Sequence, residues 1–195
     1  YPAKYWNTAA TAGDAESWRR AEALMPQHRA RAMEKYDSLT RLPNAGLTRE
    51  LLEIAIDRTQ GNDRFASVLL IDVEPSDSNT TAGGKYEIDV MLCKLACRLL
   101  ACTSEEISLG QLSRLKFALV VGARNPPEHV LPLLLNRIWT LLHPSVALRD
   151  EITLTFRTGS AAFPVDGSTA DALVMAATSR LREFPFDQPE QPDHN

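Results

Sequence analysis

The chain has 195 residues, 44% of them apolar, and a formal charge of −4. That length and composition suit one ordinary domain with a packed core and a short extension, and the acidic balance argues against nucleic acid as the partner. Three cysteines, Cys93, Cys97 and Cys102, fall within one predicted helix, which argues for reduced thiols and against a disulfide framework.

The first 13 residues show no period, and the aromatic Tyr1, Tyr5 and Trp6 among them are expected to dock back on the domain. From Asp14 to Lys35 a capping Asp14 precedes Trp18, Ala21, Leu24 or Met25, and Met33 near helical spacing, with Pro26 as a start, stop or kink. Arg19, Arg20, Arg29, Arg31 and Lys35 read as its solvated face. A signalling stalk and a simple packing helix fit this pattern equally well. No apolar run reaches the roughly 18 residues of a membrane span and no signal peptide is visible. A chain beginning with Tyr1 is expected to be a fragment of a longer protein.

The strip Tyr36–Leu47 is turn-rich, and Leu47–Thr59 reads as a helix with Leu47, Leu51, Ile54 and Ala55 along one stripe. Phe65–Val73 is a near-continuous apolar β run of the kind buried on both faces, with Asp72 at its end. Asp72 and Glu74, two residues apart, share a face. A polar loop, Glu74–Gly84, leads to a helix from Lys85 to Cys102 with Ile88, Met91, Leu92, Leu95, Ala96, Leu99 and Leu100 toward the core. Cys93 and Cys97 share a helical face without a histidine nearby, so buried small hydrophobes are expected there, not metal ligands.

Two apolar β runs, spanning Ser108–Val121, then meet at the charged turn Ser113-Arg114-Leu115-Lys116. A helix from Asn125 to Leu142 carries Pro132 early and Trp139 in its apolar face, and His143-Pro144 ends it. Ile152–Phe163 reads as a strand, Asp166-Gly167 as a turn, and Ser168 or Thr169 caps a last helix through Leu181. The tail from Phe184 holds three prolines without a period and is expected to be loosely ordered. His28, His129, His143 and His194 lack partners at catalytic spacing, and Gly83-Gly84 is no P-loop. The order of elements implies an α/β sandwich, in α+β style, around a mostly antiparallel sheet.

Three strings go further. DSLTRLPNAGL (Asp37, Leu39, Thr40, Leu42, Pro43, Asn44, with Ala45 for Arg) resembles the D-x-L-T-x-L-x-N-R opening of GGDEF domains, the diguanylate cyclases. LLIDVEPSD resembles that family's strand ending in D-x-D-x-F-K, and TGSAAFPVDGSTADALVMAAT its late strand and helix. The resemblance covers about Tyr36–Phe184. It implies a fold like the palm of nucleotide cyclases, a linker helix over 1–35, the domain over 36–184 and a flexible tail over 185–195.

Domains of that family meet face to face and condense two GTP molecules into cyclic di-GMP, and carboxylates from the first strand and the hairpin turn hold the divalent metal. Carried over position by position, the resemblance implies that chemistry is lost. GGDEF reads Ser113, Arg114, Leu115, Lys116, Phe117, leaving no carboxylate in the turn. Asp72 matches the first metal carboxylate and Glu74 stands for the second. Of the guanine-recognition string, Thr80, Thr81, Lys85 and Ile88 depart, Gly84 and Asp89 match, and Asn79 serves only if the loop shifts by one residue. The vestigial nucleotide set is therefore Asp72, Glu74, Asn79 and Asp89, with Asp72 as the remnant metal ligand. The product-inhibition R-x-x-D falls on Ser104–Ile107, read Ser-Glu-Glu-Ile, so no cyclic di-GMP is expected there.

The resemblance implies an inactive, degenerate GGDEF domain serving as a regulatory or protein-interaction module in bacterial cyclic di-GMP signalling. Its expected partners are EAL, PAS or GAF domains of the same protein, or a partner protein, and its expected place is the cytoplasm, including the cytoplasmic part of a membrane-associated protein. No cofactor is expected, with Mg²⁺ and GTP binding lost or weak. The alternative is a nucleotide-binding allosteric sensor without cyclase activity.

Overall fold

The computed structural model describes residues 34–61, 63–75, 85–142 and 154–184, and the unit that carries the fold begins at Asp37. The helix expected over 14–35 lies outside these residues except for Glu34 and Lys35, which lie in a turn. Loop positions 76–84, with Asn79, Thr80, Thr81 and Gly84, also lie outside, as do Tyr1, Tyr5, Trp6, His28, His143, His194 and the tail beyond 184.

The described elements run α1 (Ala45–Asp57), β1 (Phe65–Pro75), α2 (Lys85–Leu100), β2 (Ile107–Ser113), β3 (Lys116–Ala123), α3 (Pro127–Leu142), β4 (Leu154–Ala162), α4 (Ala170–Ser179) and β5 (Arg182–Phe184). The strands form one sheet in the order β2-β3-β1-β4-β5. All four pairings are antiparallel. The most apolar strand, β1, takes the centre because both of its faces must be covered.

Alternation along β1 divides the core. Leu69, Ile71 and Val73 face Met91, Leu92, Leu95 and Leu99 of α2 and Leu134 and Ile138 of α3. Ala66, Val68 and Leu70 face Leu52 and Ile56 of α1 and Leu173 and Ala177 of α4. Each fully buried Leu or Ile contributes about 1.5–3 kcal/mol. The second layer is built from small residues. A Cβ on Gly110 would run into the Thr48 side chain, and one on Gly159 into the carbonyl of Ala177, so both glycines let a helix lie close on the sheet.

Asn44 caps α1 by accepting from Leu47 N at 3.0 Å. Thr169 caps α4 by accepting from Ala172 N. The two helices are tied by Glu53, whose carboxylate accepts from Ala170 N at 2.7 Å, and by the Arg49–Asp171 pair at 2.7 Å. Asp166 staples the turn before α4. One of its oxygens accepts from Ala162 N at 2.8 Å and the other from the Arg180 guanidinium at 2.5 Å. The Arg180 hydrogen bond holds the Asp166 carboxyl below its ordinary value of 3.8, against the opposing effect of burial.

Several sequence expectations shift. α1 starts earlier than read, so its buried stripe is Thr48, Leu52, Ala55 and Ile56, and Ile54 is 44% exposed. α2 ends at Leu100, which turns outward because Leu99 already occupies the core position one step before it. Cys93 is half-buried and Cys97 exposed, so neither is the buried hydrophobe expected, whereas Cys102 is buried just past the helix. Trp139 is only partly buried. β1 runs two residues further, to Pro75, because β4 pairs with it that far, which puts Asp72 and Glu74 inside the strand. The last helix stops at Ser179, and the short β5 that follows, pairing Arg182 with Thr158, has no periodic signature in three residues.

Two outcomes follow from this packing. Gly159→Ala is expected to lower stability by about 1–3 kcal/mol through overpacking, read as a lower urea midpoint with an unchanged slope. For Asp166 the native carboxyl pKa is depressed, so its contribution is present above the unfolded value and is lost as pH falls through the native one. Asp166→Asn should therefore destabilise the protein at neutral pH, and the gap to the parent should close below about pH 4 in urea titrations at several pH values.

Candidate functional site

The β2–β3 hairpin closes with the two-residue turn Arg114-Leu115. Its register slips between Gln111, opposite Phe117, and Ser113, opposite Lys116, so Leu112 is the extra residue of a bulge. Phe117 is fully buried and anchors β3 in the α2–α3 layer. Leu115 packs against the same layer, and its carbonyl accepts from Val73 N at 2.9 Å. Leu115 of the turn thus packs its apolar side chain against the core.

Register also decides what surrounds the first acidic position. Asp72 of β1 lies opposite Lys116 on one side and Arg157 of β4 on the other. Residues directly opposite in antiparallel strands share a face. Arg157 Nη2 donates to Asp72 Oδ2 at 2.8 Å and also bridges to the Glu74 carboxylate. The Asp72 side chain is 14% exposed against 50% for Glu74, so the inner half of this bridge is shielded from water. The Lys116 side chain has no hydrogen-bond or ion-pair partner among the described residues.

A second arginine closes the other acidic position. Arg114 Nη2 donates to Asp89 Oδ1 of α2 at 2.7 Å. The Arg114 carbonyl accepts from Gln111 Nε2 at 3.0 Å, while Gln111 N donates to Pro43 O at 2.8 Å. Gln111 also meets the Thr40 hydroxyl, which reaches the Asp37 carboxylate at 3.0 Å. Asp37 Oδ1 further accepts from Leu39 N at 3.0 Å and Thr40 N at 2.7 Å. The strip that opens the domain is therefore hydrogen-bonded, through buried Gln111, to the hairpin turn.

This donor set is poor for a hard divalent cation. Such an ion takes six or more oxygen ligands in close geometry, yet here a guanidinium already sits on both carboxylates of β1 and the turn offers none. A further positive charge about 4 Å from Lys116 or Arg157 would meet repulsion of roughly 4 kcal/mol at an effective dielectric near 20. Among the described residues no group of three or more His, Cys, Asp or Glu side chains could hold a metal.

Of the sequence-derived site residues, the structure brings Asp72 and Glu74 together, with Lys116 opposite Asp72, and sets Asp89 against Arg114. Asn79 lies outside the described residues. Arg157 was missed. It belongs to no quoted motif, and only the β1–β4 register puts it beside Asp72. At Ser104–Ile107, Glu105 is exposed and Glu106 lies 3.7 Å from Arg64.

Beside Asp89 a groove of about 660 Å³ is lined by Leu39, Asp89, Val90, Cys93, Lys94, Cys97 and Arg98. Burial pushes the Cys93 thiol up, and Cys97, Asp89 and Asp37 add to it. Burial also pushes up Cys102, opposed by Arg137. Thiols held protonated are poor nucleophiles. Among the described residues no helix is long and apolar enough to cross a membrane.

Comparison with known proteins agrees with this architecture. Residues 34–185 match the family model described as diguanylate cyclase, GGDEF domain. The chain is 28% identical over 146 residues to the bifunctional diguanylate cyclase/cyclic di-GMP phosphodiesterase MucR of Pseudomonas aeruginosa, covering 75% of this chain and 21% of that protein. It spans about a fifth of the length of the curated relatives it matches. Among solved structures, a sensory box/GGDEF family protein from Caulobacter crescentus superposes with a TM-score of 0.68 at 26% identity, covering 75% of this chain and 95% of that one. The diguanylate cyclase SiaD of Pseudomonas aeruginosa, solved in complex with its activator SiaC, superposes at 0.58 with 19% identity, covering 86% and 68%.

Proposed function

The chain belongs to the GGDEF family of diguanylate cyclase domains, and from that membership we propose that it is a regulatory, protein-interaction domain of cyclic di-GMP signalling that no longer makes the dinucleotide. The observation that carries this reading is Arg157 bridging Asp72 and Glu74. The guanidinium supplies these carboxylates with the positive charge that a metal would otherwise bring, but it cannot do a metal's work as a Lewis acid toward a triphosphate. Arg114 bonded to Asp89, Leu115 turned into the core and Lys116 opposite Asp72 support the same conclusion.

What the domain keeps is its scaffold and a hairpin tied to its own opening strip. These suit a module that relays or receives contact. The relatives it matches are about five times longer, and one of them is named for both cyclase and phosphodiesterase activities. A larger parent protein fits, with the domain over residues 36–184, a linker before it and a tail after it. Its partners are a neighbouring EAL, PAS or GAF domain or a separate protein, as SiaD has in SiaC. Its place is the cytoplasm.

The full chain incubated with GTP and Mg²⁺ is expected to form no cyclic di-GMP. Product that disappears in Asp72→Ala would overturn the proposal, and calorimetric heat on adding GTP would instead favour a nucleotide sensor. Arg157→Gln is expected to cost about 1 kcal/mol by leaving two carboxylates facing each other. Millimolar Mg²⁺ should restore part of that loss in a thermal melt and leave the parent's midpoint unchanged.

A further inference from the structure

Helix α2 is apolar on two faces. Met91, Leu92, Leu95 and Leu99 fill the core beneath it. Val90, Cys93, Cys97 and Leu100 follow one another at intervals of three, four and three residues, and at 3.6 residues per turn they line up on the side turned away from that core. Val90 and Cys93 are half-buried, Cys97 is exposed and Leu100 is 45% exposed. A helix on the surface of a domain needs one apolar face, and its outer face is ordinarily polar.

This outer stripe forms one wall of the groove of about 660 Å³ beside Asp89, and Leu39 of the opening strip forms the other. Leu39 is 36% exposed, and its carbonyl accepts from the Cys93 thiol at 3.7 Å, which holds the strip against the helix. Leu100 extends the stripe by a further turn. Apolar residues spaced three, four and three apart make the seam along which a second helix packs, each of its side chains seating between them. Charge beside the seam is one-sided. Lys94 and Arg98 flank it one turn apart, a spacing at which like charges repel, and neither side chain has a hydrogen-bond or ion-pair partner among the described residues. On the opposite flank Asp89 is already held by Arg114 at 2.7 Å. The open charge of the groove is therefore positive.

We propose that this stripe docks an acidic amphipathic helix of a partner protein, with aliphatic side chains along the seam and glutamates or aspartates opposite Lys94 and Arg98. Charges beside such a seam select the partner. They also select against a second copy of the chain, since two α2 stripes laid together would bring cation toward cation. The inference rests on the interaction-domain reading above and supplies its surface.

In the test, the full chain is titrated with a synthetic helical peptide whose leucines, at three-four spacing, are flanked by glutamates, and alkylation of Cys97 by iodoacetamide is followed by mass spectrometry. The peptide is expected to slow that alkylation saturably. Its affinity should fall roughly tenfold in Lys94→Glu, where attraction becomes repulsion, and roughly fivefold or more in Leu100→Ala, which removes apolar surface from the seam. It should be unchanged in Leu133→Ala, a side chain 72% exposed on α3. Lys94 and Leu100 are both exposed, so their variants should melt with the parent, which separates lost binding from lost folding. No saturable protection, or protection unchanged in either variant, would overturn the docking surface. So would a Cys97 that resists alkylation in the free chain, because its stripe would already be covered. A peptide with lysines in place of the glutamates that binds as tightly would overturn the acidic partner. If docking fails while the chain still makes no cyclic di-GMP, only this surface is lost, whereas formation of cyclic di-GMP would overturn the reading above.

Discussion

The two-sided burial of β1 is the constraint on which the other elements depend. Ala66 and the run from Val68 to Ile71 are each no more than 1% exposed, so this strand needs a paired neighbour on each edge and a helical layer on each face. Antiparallel partners β3 and β4 supply the edges. Helices α2 and α3 cover one face with long aliphatic side chains, and α1 and α4 cover the other across alanines and two glycines. The unequal layers follow from the side chains. A helix approaches a sheet closely only where the facing residues are small, as at Gly110 and Gly159.

The same alternation that buries β1 carries Asp72 and Glu74 to one face near its end, where the helices no longer cover it. Carboxylates held that close need a positive partner, because like charges at short range in a partly shielded place are unfavourable. In this chain the partners are side chains of the protein itself. Arg157, delivered by β4, and Arg114, delivered by the turn, bring that positive charge from within the fold.

The hairpin turn is also connected away from the acidic cluster. Gln111 lies between Pro43, Thr40 and the Arg114 carbonyl, and it is 5% exposed, so its polar groups depend on those partners. Asp37 organises the preceding turn by accepting three hydrogen bonds, and Arg41 completes it with a left-handed backbone at φ 61°. A displacement of this strip would strand buried polar groups at the turn, which couples the two mechanically whether or not the turn does chemistry.

Local pattern made most of the fold legible: the apolar run of β1, the helix caps at Asn44 and Thr169, and the charged hairpin turn all show in stretches of a few residues. So does the lack of an acidic side chain from Ser113 to Lys116, because residue identity is read directly from the chain. The ends of elements were less legible. β1 extends to Pro75 because a partner strand pairs with it there, and β5 exists only because β4 offers an open edge. The occupants of the acidic positions were not legible at all. Arg157 is 85 residues from Asp72, and nothing in either local string joins them. That contact is set by strand register, which arises when distant segments pack and which no single stretch encodes. By itself the sequence determined which side chains stand at the end of β1 and in the hairpin turn, and only the tertiary structure decided that the carboxylates of Asp72, Glu74 and Asp89 are held by the protein's own arginines.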